Sequence, residues 1–221
     1  MQNHSVSMTA GTDKASYYAS LSVMKDPGWY KQSRVNRYTA NLNTTFNLSK
    51  HLSLNLLSNA SYRKQRAPGT AAQSIDISTG EVSREFDINP YSFALNTSRT
   101  LDPNEYYTRN YADFNIFHEL DNNYMELNIV DLKFQGELKW KPLNELEFSA
   151  LGALKYYMSS NEHFINESSN QANAYRAMGN SIIRDENDKL YSDPDDPYAL
   201  PITILPEGGI YRRTDYRTRG F

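Results

Sequence analysis

The sequence contains no cysteine among its 221 residues, which excludes a disulfide framework and any metal site built on thiolates. It has no run of about 18 apolar residues, so a transmembrane helix is excluded. Residues 1–5 provide neither the basic nor the apolar part of a signal peptide. We therefore expect that, if the chain works beyond an inner membrane, it is a piece of a longer protein.

The sequence also lacks a surplus of positive charge, with 23 Lys and Arg against 26 Asp and Glu. The formal net charge is -3, which argues against nucleic acid as a partner because phosphate binding needs a basic surplus. The arginines near the end of the chain, Arg212, Arg213, Arg217 and Arg219, are a local exception.

Signals of catalysis are missing as well. The four histidines, His4, His51, His118 and His163, lie in separate segments without the spacing of zinc ligands. The sequence has no G-x-S-x-G, H-E-x-x-H or P-loop motif. We predict that the chain is not an enzyme and holds no zinc.

Alternation of apolar and polar residues is abundant. It predicts six strands, at 4–11, 15–24, 37–48, 52–63, 124–141 and 145–158. Three connections are tight: Thr12-Asp13-Lys14, Ser49-Lys50-His51 and Pro142-Leu143-Asn144. The others are long, over about 25–36, 64–123 and everything after 158, so short turns and long loops alternate along the chain.

All six strands share one parity. We call one face of the strands the apolar face. Within the alternating segments it carries no charged residue. Its members are every second residue of each strand, counted from Val6, Ala19, Leu42, Leu54, Phe134 and Leu154. The charges fall on the opposite, polar face. We predict that a polar lumen is lined by Asp131, Lys133, Gln135, Glu137, Lys139 and Glu147.

A soluble sandwich also alternates, but three details favour a membrane. The alternation runs for ten or more residues, which suits a tilted strand that crosses a bilayer. Aromatic residues gather at both ends of the apolar face, with Tyr38, Tyr62, Tyr124 and Tyr156 by the long loops and Tyr17, Phe46 and Trp140 by the tight turns. Short turns alternating with long loops are typical of outer-membrane barrels. We therefore predict an all-β fold: an antiparallel transmembrane β-barrel segment of about six strands within a larger barrel.

Several stretches resemble the SusC/RagA family of TonB-linked outer-membrane transporters of Bacteroidetes. They are YYASLSVMKDPGWYKQSRVNRYTANLN (17–43), LSLNLLSNASYRKQRAPGT (52–70), NNYMELNIVDLKFQGELKWKP (122–142) and SNQANAYRAMGNS (169–181). The resemblance implies a 22-stranded barrel in the outer membrane that imports glycans or peptides. It also implies a plug, energy supplied through TonB, and a SusD-like surface lipoprotein as partner.

Residues 1–221 then form part of the barrel domain, because the sequence shows no plug, no TonB box and no final aromatic strand. Phe221 does not follow an alternating apolar segment. We expect the chain to end inside a strand or a loop, and TonB to act through an N-terminal part that this chain lacks.

Aromatic residues in the long loops are the candidates for ligand contact, because flat rings stack on sugars and pack on peptide side chains. They are Trp29, Tyr30, Tyr91, Phe93, Tyr106, Tyr107 and Tyr111. Packing among the loops or against the lipoprotein is the alternative role for these rings. The acidic segment 184–197 offers a weak Ca²⁺ candidate at Asp185, Asp188, Asp193 and Asp195, although it lacks the EF-hand order.

The sequence thus predicts a transporter segment that touches outer-membrane lipid, lines a pore and supplies extracellular loops for oligosaccharide or peptide uptake. The alternative is a secreted all-β carbohydrate-binding module whose apolar face is buried under a second sheet.

Overall fold

A computed structural model describes residues 1–28, 31–69, 74–75, 82–83, 88–109, 112–143, 145–178, 205 and 207–221. The fold is all-β and antiparallel, with one seven-stranded sheet in the order β1-β2-β3-β4-β9-β10-β11. Its strands are β1 (Gln2–Thr12), β2 (Ala15–Asp26), β3 (Arg34–Ser49), β4 (Leu52–Pro68), β9 (Asn123–Leu143), β10 (Leu146–Ile165) and β11 (Ile210–Gly220).

Shorter elements lie between the long strands. Two small hairpins are formed by β5 (Ser74–Ile75) with β6 (Val82–Ser83) and by β7 (Tyr107–Arg109) with β8 (Ala112–Phe114). The helices are α1 (Pro90–Asn96), α2 (Ile116–Asn122) and α3 (Asn170–Met178). None of the described helices has the length and apolar character needed to cross a membrane.

The six predicted strands are confirmed, and all extend further at the long-loop end than the alternation alone indicated. The seventh strand, β11, was not among them. Its residues Arg213, Asp215, Arg217 and Arg219 share one face, so it shows no apolar alternation. It pairs along its whole length with β10, from Ile210 opposite Ile165 to Gly220 opposite Lys155.

The register keeps like faces together across the sheet. One row runs through neighbouring strands as Leu21, Ala40, Ala60, Leu132 and Tyr156. Aromatic pairs mark both ends of the apolar face, since Tyr38 stacks on Tyr62 at 6.3 Å and Trp140 on Phe148 at 5.5 Å. A slip of one residue in any strand would break this agreement by turning all its apolar side chains to the other face.

The sheet is a single layer over most of its area. Phe134, Phe148 and Leu154 are 47%, 51% and 59% exposed, and no described element covers them. The largest buried apolar cluster lies beyond the long-loop end of the sheet, where Ile88, Phe114, Ile116 and Leu120 pack together. We call the described residues of 88–122 and 166–178 the loop cluster.

Asparagine caps start two of the three described helices of the loop cluster, α1 and α2. The side chain of Asn89 accepts from the backbone N–H of Tyr91 and Ser92 at the start of α1, which Pro90 also favours. Asn115 accepts from Phe117 and His118 at the start of α2. Its amide also donates to the carbonyls of Pro103 and Glu105, which ties the segment before β7 to α2.

Candidate functional site

The loop cluster contains a cleft of about 530 Å³ between α1 and β7. Its volume is within the range of about 300–1,000 Å³ that small-molecule sites occupy. The cleft is lined by Ser92, Phe93, Asn96, Thr97, Ser98, Tyr107 and Arg109. Two of these, Phe93 and Tyr107, are aromatic residues that the sequence predicted for ligand contact.

Phe114 supports the aromatic wall of the cleft from behind. Its ring centroid lies 5.8 Å from that of Phe93 and 5.5 Å from that of Tyr107, and the guanidinium of Arg109 lies 4.8 Å from its centre. These contacts restrict the rings before any ligand binds. Phe93 and Tyr107 therefore pack within the loop cluster and also line the cleft, and their contact with a ligand stays a prediction.

Polar groups form the rest of the lining. Asn96 donates to the hydroxyl of Ser92 at 3.3 Å, and the hydroxyls of Ser98 and Thr100 lie 2.8 Å apart. Burial raises the pKa of the Tyr107 hydroxyl, so this group stays protonated and can donate a hydrogen bond. Ring faces next to hydroxyl, amide and guanidinium groups suit a polyhydroxylated ligand or a peptide.

The other predicted contact residues do not line this cleft. Tyr91 and Tyr106 are 65% and 55% exposed, and Tyr106 packs 6.0 Å from the ring of His118. Trp29, Tyr30 and Tyr111 lie outside the described residues, as do the calcium candidates Asp185, Asp188, Asp193 and Asp195. Within the described ranges, no three His, Asp or Glu side chains gather as a metal site would require.

A buried polar network joins the loop cluster to the sheet. Asn123, the first residue of β9, donates through its amide to Glu119 at 3.1 Å and to Gln171 at 2.8 Å. Its side-chain oxygen lies 2.7 Å from Nε2 of His163 on β10. Glu119, Asn123, His163 and Gln171 are all buried, so this network is shielded from water.

Glu119 also holds the start of α3. Its carboxyl accepts from the backbone N–H of Asn170 at 2.5 Å and of Gln171 at 3.4 Å. The Asn170 side chain donates to the carbonyls of Arg109, Ala112 and Asp113 at 2.9, 3.1 and 3.1 Å. The β7–β8 hairpin, which carries Tyr107 and Arg109, is thereby connected through Glu119 to the ends of β9 and β10.

Burial shifts the pKa of two groups in this network, the Glu119 carboxyl and the His163 imidazole. It raises the pKa of Glu119, although the hydrogen bonds from Asn170, Asn123 and Gln171 act in the opposite direction. Burial lowers the pKa of His163 to about 4, with a smaller contribution from the Arg212 cation. A neutral His163 donates from Nε2 to the Asn123 oxygen, which leaves the Asn123 amide to donate to Glu119 and Gln171.

The predicted lumen residues lie on the polar face of the sheet. Ion pairs there join Lys139 to Glu137 at 3.3 Å, Lys155 to Asp131 at 3.9 Å and Lys141 to Glu147 at 2.7 Å. Asn55 also donates to Glu137 across the β4–β9 pair at 3.1 Å. The polar face therefore carries rows of charged and amide side chains, which are most stable in contact with water.

The polar wall of the cleft and the network that supports it were not among the features predicted from the sequence. Asn96-Thr97-Ser98 follows the aromatic Phe93 closely, and this adjacency is a signal of a polar wall. Glu119, Asn123, His163 and Gln171 carry no comparable signal, because three distant segments meet only in the fold.

No family model matches the sequence, and no significant match was found among curated proteins.

Proposed function

We propose that the chain is a segment of a TonB-dependent, SusC-like importer in a bacterial outer membrane. It forms part of the pore wall and of the extracellular chamber through which glycans or peptides are taken up. The observation that carries the proposal is the apolar face, which is continuous over β1 to β4, β9 and β10 and stays exposed in the described residues of these strands.

Exposure of this extent is unfavourable in water. Soluble monomers rarely expose contiguous apolar patches larger than a few hundred Å². Here several large apolar side chains on neighbouring strands are more than two-fifths exposed, including Leu42, Leu132, Phe134, Leu138 and Phe148. Acyl chains would cover them without a second protein layer.

The paired backbone fits the same environment. Lipid offers no partner for a peptide N–H or C=O, so strands can cross a membrane only as a closed sheet. Seven strands leave β1 and β11 as edges in the described sheet, whereas single-chain outer-membrane barrels have about eight or more strands. The proposal therefore requires further strands that pair with these edges.

Each face then has a role. The polar face, with Asp131, Lys133, Gln135, Glu137 and Lys139, lines the water-filled lumen around the plug. The loop cluster lies at the extracellular end, where its cleft takes part in substrate capture below a SusD-like lipoprotein. Energy comes from TonB through a plug, and the chain itself breaks no bonds.

The decisive experiment compares the chain in water and in lipid. We expect it to aggregate without detergent and to fold with β-sheet circular dichroism in micelles or in neutral phosphatidylcholine vesicles. Folded chain should float with the vesicles and resist extraction by carbonate. A monomeric chain that melts cooperatively in plain buffer would contradict the proposal.

A secreted carbohydrate-binding module is the second candidate, and the cleft beside Phe93 and Tyr107 is the observation that favours it. Such a module needs a partner layer over the apolar face. Binding of oligosaccharides by a detergent-free monomer would identify it.

A further inference from the structure

Beyond the tyrosine row, the apolar face of the sheet becomes charged. Tyr38 and Tyr62 end its apolar part, and the next positions of the same parity on β3 and β4 are Asn36, Arg34, Lys64 and Arg66. No register shift intervenes there, so these side chains point to the same side as the tyrosines. We call the cations beyond the tyrosine row on this side the basic belt: Lys25, Arg34, Lys64, Arg66 and Arg213.

The carboxylates on this side of the sheet already form ion pairs. Lys64 pairs with Glu126 at 2.8 Å, and Arg213 pairs with Asp215 at 3.0 Å and with Glu162 at 3.9 Å. The basic belt therefore keeps a positive surplus after its internal ion pairs are formed.

On β11, Arg217 and Arg219 bring positive charge to the apolar part of the face, because Arg217 lies in the row of Tyr62 and Arg219 in the row of Leu132. They lie opposite Met158 and Tyr156 in the register, and both are exposed. In the described part of the chain neither forms an ion pair within 4.0 Å. Residues two apart in a strand are separated by about 7 Å, so both guanidinium groups can reach one phosphate.

An apolar trough begins at Arg219. This cavity of about 780 Å³ on the apolar face is lined by Leu132, Phe134, Leu154 and Tyr156, with Arg219 among its lining residues. Arg219 at the trough, with Arg217 two residues away on the same face of β11, matches a molecule with an anionic head and a hydrocarbon tail.

We propose that Arg217, Arg219 and the trough form a binding site for a phosphorylated membrane lipid. The phosphate contacts the two guanidinium groups, and an acyl chain lies along Leu154, Phe134 and Leu132. This inference rests on the proposed function, because it requires the apolar face to meet lipid. Tyr38, Tyr62 and Arg217 share one row of the register and then lie at the polar boundary of the bilayer, where tyrosine is favoured. The basic belt lies further out, among the head groups.

The test measures flotation of the full 221-residue chain with two kinds of vesicle. One kind is pure phosphatidylcholine, and the other also contains phosphatidic acid as the phosphomonoester probe. We expect tighter association with the second kind. In the double variant R217Q/R219Q, the ratio of binding to the two kinds of vesicle should fall about fivefold for each arginine removed.

Three controls accompany this variant. R217K/R219K keeps both charges and should keep most of the preference. R212Q/K139Q removes two cations from the polar face that do not line the trough, and it should behave as the unmodified chain. Inorganic phosphate, added at an ionic strength matched with sodium chloride, should not displace the chain, because the site requires the acyl chain as well.

The outcomes separate this inference from the proposed function. Equal binding to both vesicles, or a preference that survives R217Q/R219Q, overturns the lipid site and leaves the membrane segment standing. Displacement by inorganic phosphate, or by a DNA oligonucleotide at the same arginines, also overturns it. A chain that floats with neither vesicle and is soluble without detergent overturns both.

Discussion

Asn123 and His163 meet through a hydrogen bond of 2.7 Å at the place where β9 and β10 leave the sheet and join the loop cluster. Gly69 lies against this pair and donates from its backbone N–H to the carbonyl of Asn123 at 3.0 Å. A methyl group on Gly69 would clash with the Asn123 side-chain oxygen and would lie 2.5 Å from Nε2 of His163. Only glycine fits at position 69, because Asn123 and His163 are both buried and a side chain there would overlap with them.

Gly69→Ala should therefore destabilise the loop cluster by about 1–3 kcal/mol, as other overpacked sites are destabilised. The measurement is urea unfolding in micelles, with protease susceptibility of residues 88–122 as a local readout. Gly152→Ala is the matched control, because nothing lies within 4 Å of a methyl group at that position. If both substitutions have equal effects, the Asn123–His163 pair does not anchor the loop cluster.

The second prediction concerns the buried carboxyl of Glu119. Its pKa in the folded state is raised above the ordinary 4.5, so the stability it contributes is complete below pH 4.5 and is lost as pH rises through the raised value. A pKa that differs by one pH unit between the folded and unfolded states corresponds to about 1.4 kcal/mol of stability. His163 acts with the opposite sign, because its lowered pKa removes stability as pH falls from 6.5 toward 4.

Glu119→Gln removes the first ionisation while keeping the shape of the side chain. The stability of the loop cluster, followed by protease susceptibility between pH 4.5 and neutrality, should then no longer show the decline with rising pH that Glu119 causes. The variant should be less stable at low pH by about 1–3 kcal/mol, because a glutamine amide cannot accept from every donor around Glu119. An unchanged pH profile would show that Glu119 does not ionise in this range.

Alternation was sufficient to predict β1 to β4, β9 and β10, because each buries or exposes one face consistently along its length. In β11 the positions that continue the apolar face are Arg213, Asp215, Arg217 and Arg219, so a pattern of period two carries no apolar signal there. Pairing with β10 determines that strand, and pairing is a long-range property. The same limit explains the missed network around Glu119.

The loop cluster was predicted only as loop. Its helices are seven to nine residues long, too short to stand out by apolar periodicity. Asn89-Pro90 and Asn115 are recognisable caps once the helices are known, because asparagine is favoured before a helix and proline at its first position. The cleft could be predicted only in part, since Phe93 and Tyr107 were candidates on grounds of residue type and Arg109 was not.

The third prediction tests the cleft as a ligand site. Tyr107→Phe keeps the packing on Phe114 and removes the hydroxyl, so affinity for a bound oligosaccharide or peptide should fall about threefold to tenfold, the effect of one lost hydrogen bond. Asn96→Ala should reduce affinity similarly without disturbing the apolar cluster, because Asn96 is exposed. Binding is measured on an array of oligosaccharides and peptides and then by calorimetry on the strongest hit.

Tyr91→Phe is the control for this set, because Tyr91 is exposed and does not line the cleft. Its affinity should equal that of the unmodified chain. If Tyr91→Phe weakens binding while Tyr107→Phe and Asn96→Ala do not, the ligand contacts the outer surface of the loops instead of the cleft.

The last prediction tests which face of the sheet meets lipid. Phe134 and Gln135 are neighbours on β9 and point to opposite faces, Phe134 beside Ser58 and Leu154 and Gln135 beside Leu57 and Ala153. Phe134→Arg should destabilise the chain in phosphatidylcholine vesicles by about 2–4 kcal/mol, the effect of arginine on the lipid face of a barrel near the bilayer midplane. Gln135→Arg places the same side chain on the polar face, where water solvates it, and should change stability by less than about 0.5 kcal/mol. Urea titration in vesicles measures both. Because the variants share strand, depth and introduced residue, equal effects would mean that the apolar face does not contact acyl chains, and the importer proposal would fail with it.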